Sequence, residues 1–187
     1  PNVRLHEVWG ATYEHDSRGL QLSLGSLFSG DERRVVVVFD VQTQQPGTWV
    51  NIGGDISWQP VGGQFVHVNI PSLRVDSVAS AEEVDNARDL SVLASVASVQ
   101  ASRREVEAAA AFERGEQQRA IQLNAQNRAE LDRAAASAPA AEASRLRAQK
   151  RAYDQNNSVY STQPPSAAPA RAIGAAERKN ADRAVGY

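Results

Sequence analysis

With 187 residues, 42% of them apolar, a net charge of -2 and no cysteine, the chain has room for one ordinary domain with an appendage, or for two small domains. The missing cysteines exclude disulfide scaffolds, thiolate metal sites and cysteine nucleophiles. Residues 1–78 carry five Arg against eight acidic residues and the remainder fifteen basic against fourteen acidic, so neither half has the basic footprint of a nucleic-acid binder; no apolar run approaches the roughly 18 residues a membrane span requires.

The opening Pro1-Asn2-Val3-Arg4 is not a signal peptide, and the chain does not begin with Met. The expectation is a piece of a longer reading frame, with the cytoplasm as the default compartment. Along the chain, Val3, Leu5, Val8 and Trp9 alternate loosely with polar residues and stop at Gly10, as a half-buried strand does. Leu20–Leu24 alternates strictly, and turn residues 25–32 follow. Arg33–Val41 is a continuous β-branched run, which predicts a central strand buried on both faces.

Pro46-Gly47 marks a turn, with Thr48–Ile52 and Ile56–Trp58 as strand pieces around Gly53-Gly54, a pair that predicts a bulge or bend. Phe65–Ile70 alternates again, and Pro71 limits the ladder beyond it. About six short strands with glycine-rich turns predict an antiparallel sandwich or a small open barrel over residues 1–78.

Near Val75 the composition changes to Ala, Arg, Glu and Gln, the signature of a helical tail. Ser80-Ala-Glu-Glu83 fits a capping box. From there Val84, Ala87, Leu90, Leu93 or Ala94, and Ala97 recur at helical spacing, continuing through Ala101, Ala108 and Phe112 to a stop at Gly115. A second helix is predicted from about Glu116 through Ala120, Leu123, Asn127 and Leu131 to Ser137-Ala-Pro139, and a third from Ala140 to about Asp154. The narrow alanine stripe favours close, shallow helix packing. Residues 155–170 read as a Pro-rich polar linker and 171–187 as a short helix or a mobile tail. The fold class is therefore α+β: an antiparallel sandwich (1–78), a helical segment (79–154), the linker and the tail.

None of the ionisable groups forms a catalytic constellation. His6, His15 and His67 lie in separate strand segments without paired spacing. Asp31-Glu32 and Glu82-Glu83 sit at a turn and a helix start, where solubility and the helix dipole account for them. Gly53-Gly54 and Gly62-Gly63 lack the Lys-Ser/Thr and the strand-to-helix context of a phosphate loop. Asp76-Ser77-Val78-Ala79-Ser80 has the outline of a metal-ion-dependent adhesion motif, but Val78 stands where the middle serine ligand belongs, and Ser80 serves better as a helix cap. No metal or other cofactor is expected, and no nucleophile elbow marks a hydrolase. Trp9, Trp49 and Trp58 suit core or rim packing; with Phe112 and Tyr153 they are also the residues expected to touch a partner.

In order along the chain, Leu24-Gly-Ser-Leu-Phe-Ser-Gly-Asp-Glu-Arg-Arg-Val-Val-Val-Val38 looks like a Leu-Gly-x-Leu then Gly-Glu-Glu-Arg strand entry. Glu83-Val-Asp-Asn-Ala-Arg88 is similar to a Val-Asp-x-x-Arg helix start. Ala111-Phe-Glu-Arg-Gly115 and Arg151-Ala-Tyr-Asp-Gln-Asn156 look like a helical repeat and a Tyr-centred motif. Together these resemble the region downstream of the type A domain in intracellular von Willebrand factor type A (VWA) proteins, a β-sandwich followed by a helical Vwaint segment. Relatives of that kind occur with RING ubiquitin-ligase domains in plants and with Hedgehog-intein autoprocessing domains elsewhere. The resemblance implies an upstream VWA domain and a non-catalytic, accessory role in binding a protein partner or further copies of itself. The polar-proline stretch from Gln155 departs from the final helix of that pattern, and the adhesion metal site maps to no residue here. The alternative is a stand-alone structural subunit of a larger complex, its helical tail docking on neighbouring subunits.

Overall fold

A computed structural model describes residues 2–17, 19–29, 34–43, 45–168 and 172–176. Six strands come first: β1 (Asn2–Trp9), β2 (Thr12–Asp16), β3 (Gly19–Ser23), β4 (Val36–Gln42), β5 (Trp49–Trp58) and β6 (Val66–Asp76). Four helices follow: α1 (Ala81–Asn86), α2 (Leu90–Glu113), α3 (Gln117–Ser137) and α4 (Ala140–Thr162). The chain is α+β, as the change of composition near Val75 predicts.

Among the described residues the strands form three two-stranded pairs, β1–β4, β2–β3 and β5–β6, where the sequence predicts strands packed as a sandwich. β4 accordingly differs from the expected central strand. It pairs with β1 alone, and Val36, Val37, Val38 and Phe39 are half-buried rather than enclosed on both faces. β2 escapes the hydrophobic pattern because Thr-Tyr-Glu-His-Asp offers one large apolar residue and is exposed throughout; its antiparallel register with β3, Tyr13 opposite Leu22, holds it as a strand.

By contacts the chain divides into two units, Pro1–His6 with Phe39–Arg88, and Glu7–Val38 with Asp89–Tyr187. The first is dominated by the β5–β6 hairpin. Thr48–Ile52 and Ile56–Trp58 join into one strand, and β6 runs past Pro71 to Asp76 instead of ending there. The reason is a bulge: the register passes from Ile52–Leu73 to Gly54–Ile70, so Pro71 and Ser72 together oppose Gly53. At a bulge the ladder is already interrupted, and the missing N–H of proline is tolerated. The loop closes through Gly63 N–H donating to the Pro60 carbonyl at 3.0 Å, with Gly62 at φ 71° as the type II geometry requires. Ser80 caps α1, accepting from Glu83 N–H at 3.2 Å, but Glu83 closes the box by accepting from the Ser80 hydroxyl at 3.0 Å, not from its backbone N–H.

The second unit holds the β2–β3 hairpin and a three-helix bundle. The expected first helix is broken at residues 87–89, because Asp89 is a better cap than a helix interior residue: its carboxylate accepts from Ser91 N–H at 2.8 Å and Val92 N–H at 3.1 Å. The connections 114–116 and 138–139 are short, which makes α3 antiparallel to both α2 and α4. Side-chain bonds agree: Arg104 of α2 reaches Glu130, Arg119 reaches Glu107, and Lys150 reaches Asp132. α4 continues eight residues past Asp154, so 155–162 is helix and not linker. The tail is helical over residues 172–176, and Ile173 packs against the core; the rest of the expected final helix, 177–187 and 171, lies outside the described residues.

Alanine makes the packing close, as the stripe predicts: Ala94, Ala101, Ala108, Ala111, Ala120, Ala135 and Ala143 are all buried. The α2–α3 turn is a Schellman motif, with Glu116 N–H donating to the Ala111 carbonyl and Gly115 N–H to the Phe112 carbonyl, both at 2.9 Å. Gly115 sits there at φ 84°, and a Cβ on it would meet nothing within 4 Å. Gly115→Ala is therefore expected to cost only the left-handed backbone penalty, about 1 kcal/mol, with helix content unchanged. Urea unfolding followed by circular dichroism measures it.

Candidate functional site

Two features stand out chemically, one in each unit. In the bundle, helical spacing places Ala94, Ser98, Ala101, Glu105, Ala108 and Phe112 on one face of α2. Ala120, Asn124, Asn127, Leu131 and Ala135 form the facing stripe of α3, and Ala143, Leu146, Tyr153, Asn156 and Tyr160 that of α4. The apolar members separate into two clusters, one around Leu131, Leu146 and Tyr153, the other around Phe112 and Tyr160, whose rings lie 4.9 Å apart. A polar layer lies between them.

At its centre the Glu105 side chain is 0% exposed. Asn124 Nδ2 donates to its two oxygens at 3.0 and 3.2 Å, Asn127 Nδ2 to Oε2 at 2.9 Å, Asn156 Nδ2 to Oε1 at 3.1 Å, and the Tyr160 hydroxyl to Oε1 at 3.1 Å. Asn124 also donates to the Tyr153 carbonyl at 2.9 Å. The Asn124 Oδ1 has no hydrogen-bond partner among the described residues. Asn127 Oδ1 accepts from Arg104 Nη1 at 3.1 Å, and Arg104 in turn donates to Glu130 at 2.6 Å. One layer away, Gln149 donates to the Ser98 carbonyl, Ser102 Oγ and the Tyr153 hydroxyl at 2.9–3.1 Å and accepts from Ser98 Oγ at 2.9 Å.

Burial pushes the Glu105 carboxyl above its ordinary range, while the donors from Asn124, Asn127, Asn156 and Tyr160 pull in the opposite direction; burial dominates. Moving a carboxylate out of water costs several kcal/mol, and the hydrogen bonds that it accepts offset most of that cost. The two nearly balance, so the layer adds little net stability but makes one alignment of three helices far better than the others. The group is fully buried and accepts from side chains of both other helices, so it ties α2, α3 and α4 together.

The second feature is the β5–β6 hairpin. Its register puts Val50/Val75, Ile52/Leu73, Gly54/Ile70, Ile56/Val68 and Trp58/Val66 on one face, and Trp49/Asp76, Asn51/Arg74, Asp55/Asn69 and Ser57/His67 on the other. The first face is wholly apolar, yet only Val50 on it is buried. On the polar face the Arg74 guanidinium lies 5.0 Å from the Trp49 ring centre and donates to Asp76 at 2.8 and 2.6 Å.

These positions correct part of the expected partner set. Phe112 and Tyr153 are buried within the helical core, and Trp9 is buried at the end of β1 with Arg103 over its ring at 5.2 Å, itself bonded to Glu7 at 2.9 Å. Their size is used in packing, which takes them away from a partner surface. Trp49 and Trp58 are exposed, on opposite faces of the hairpin. His6 pairs with Asp40 at 3.1 Å, His67 lies 3.5 Å from Asp55, and His15 is exposed in β2. The three stand in different strands, and among the described residues no group of His, Cys, Asp and Glu is arranged to hold a metal. Asp76 pairs with Arg74 and Ser80 caps α1, so the adhesion-like string is occupied structurally. Glu82 and Glu83 fall in the first turn of α1; Asp31-Glu32 lies outside the described residues.

The residues that were missed, Glu105, Asn124, Asn156 and Tyr160, sit at the same spacing as the apolar stripe; position 105 is the step omitted between Ala101 and Ala108. Among the described residues no helix is long and apolar enough to cross a membrane. Compared with family models, curated proteins and solved structures, the chain matches none.

Glu105→Ala is expected to destabilise the chain by about 3 kcal/mol or more, since it strands several buried donors at once; chemical unfolding measures this. The pH dependence has a definite sign. A carboxyl raised in the folded state holds its proton more tightly there than in the unfolded chain, so its contribution is complete below the ordinary range, about 4.3, and is lost as pH rises through the elevated value. The stability difference between the native chain and Glu105→Gln should therefore shrink with rising pH across that window, as read from urea midpoints in a pH series.

Proposed function

We propose that this chain is a non-catalytic protein-interaction and structural module, the accessory C-terminal part of a VWA-type protein that works in the cytoplasm downstream of a type A domain. The observation that carries the interaction role is the apolar face of β5–β6. An apolar surface left in water forgoes about 25 cal/mol per Å², and the largest contiguous one on a protein is often functional. An interface needs that area and shape, and no tuned ionisable group.

The accessory role draws on where the family-like segments sit. Ala111–Gly115 forms the α2–α3 turn with Phe112 in the core, and Arg151–Asn156 supplies Tyr153 and Asn156 to the buried layer. Asp85 and Arg88, from the helix-start segment, pair at 2.9 Å. Segments of this kind serve architecture. The alternative, a helical arm docking on neighbouring subunits, draws less support, because the apolar stripes of α2, α3 and α4 pack against one another within the bundle.

Two measurements test the reading. The intact mass of the natural protein should exceed 20.2 kDa by at least a type A domain; a natural chain of 20.2 kDa removes the accessory role. In a native extract the protein should run in a complex larger than its own mass, and Leu73→Asp should release it without loss of helical signal. A protein that runs at its own mass throughout removes the interaction role.

A further inference from the structure

Six side chains of the apolar hairpin face, Ile56, Trp58, Val68, Ile70, Leu73 and Val75, are between 36% and 62% exposed. Alternation along both strands, kept in phase across the bulge at Gly53, brings them to one side. Charged residues of the hairpin, Asp55, Arg74 and Asp76, all fall on the other side, with His67. The hairpin is thus amphipathic in the manner of half a sandwich: one wet face, and one face that a second sheet normally covers.

We propose that a second copy of this chain covers it, the two hairpins packing face to face about a two-fold axis. This rests on the interaction-module reading above and names the partner. Self-complementarity is the first argument. A face with no charge and no directional polar group fits its own copy as well as any other surface, and an isologous contact needs only one such patch. Such a face offers nothing to a nucleic acid or to a charged peptide, which need charged contacts.

Area is the second argument. The exposed parts of the six side chains amount to roughly 500 Å², so two faces together remove about 1,000 Å² from water, where specific interfaces begin. Charge is the third: at -2 per chain, copies repel one another weakly. The central pair of the face, Gly54 opposite Ile70, places the axis near the middle of the patch. The two ladders would then lie about 10 Å apart, as stacked sheets do.

The test uses the full 187-residue chain in sedimentation equilibrium from micromolar to submillimolar protein. The mass should rise to twice 20.2 kDa. Ile56→Lys and Leu73→Lys, each on the apolar face, should weaken association at least about tenfold, while Ser57→Lys on the polar face leaves it unchanged. Circular dichroism confirms that each variant is folded. Because the chain has no cysteine, Ile70→Cys gives an independent readout: a short bis-maleimide that bridges the roughly 10 Å between stacked sheets should join it into a dimer much faster than Asn51→Cys on the opposite face.

A mass that stays at 20.2 kDa over the whole range overturns the proposal, as does a dimer indifferent to the two apolar-face lysines, or equal cross-linking of the two cysteine variants. If the purified chain is monomeric while the native extract shows a complex released by Leu73→Asp, the partner is a different protein and the interaction-module reading survives. If both experiments show a monomer, both readings fall.

Discussion

The helical unit depends on one carboxylate. Glu105 on α2 is bound by Asn124 and Asn127 on α3 and by Asn156 and Tyr160 on α4, so a single side chain fixes the relative position of all three helices. A bundle packed through alanine is otherwise permissive, because small side chains interlock weakly and neighbouring registers bury similar area. Sliding α3 by a turn, about 5.4 Å, would bring Ala120 or Leu131 to one of the two donor positions beside Glu105 and take a hydrogen bond from the buried carboxyl. The polar layer thus acts mainly through the alternatives it makes costly. The link from Asn127 through Arg104 to half-exposed Glu130 continues this layer to the surface, so the buried charge is not electrostatically isolated.

The β-rich unit follows a different rule. Its hairpin carries the alternation of a sheet that is covered on one side, and among the described residues most of that side is exposed. The bulge matters here, because the extra residue from Pro71-Ser72 is absorbed locally and the parity of β6 is restored, so that Val66, Val68 and Ile70 share a face with Leu73 and Val75. Without that adjustment half of the apolar residues would turn to the wet side. The bundle thus satisfies its own core, while among the described residues the hairpin leaves most of its apolar face exposed.

Much of this architecture was legible. The strand-to-helix switch near Val75, the turn at Pro46-Gly47, the bulge beside Gly53, the cap at Ser80 and the stop at Gly115 follow from local backbone chemistry, which a sequence displays directly. Tertiary facts were not. The helix break at Asp89 depends on a cap outcompeting propensity over three residues, and α4 runs past Asp154 because Asn156 and Tyr160 have partners on other helices that their own neighbours do not announce. Phe112 was expected at a partner contact, although the stripe through Ala101 and Ala108 already assigned it inward; Tyr153 lay on a helix for which no stripe was drawn. Glu105 was hidden by the habit of equating a helix's inner face with apolar residues; the gap in the stripe between Ala101 and Ala108 was the signal.

The alanine-rich core has a thermal consequence. Unfolding heat capacity grows with the apolar area that becomes hydrated and falls with the polar area exposed alongside it. Ala is the commonest residue of the bundle interior, eight of the nineteen buried residues in α2–α4, and Ser, Asn and Glu are buried with it, so it uncovers less hydrocarbon per residue than a leucine-rich bundle of equal length. Its stability should therefore vary gently with temperature, giving a broad, low curve whose warm and cold limits are both far from its maximum. The helical unit thus keeps a nearly constant stability over a wide span of temperature.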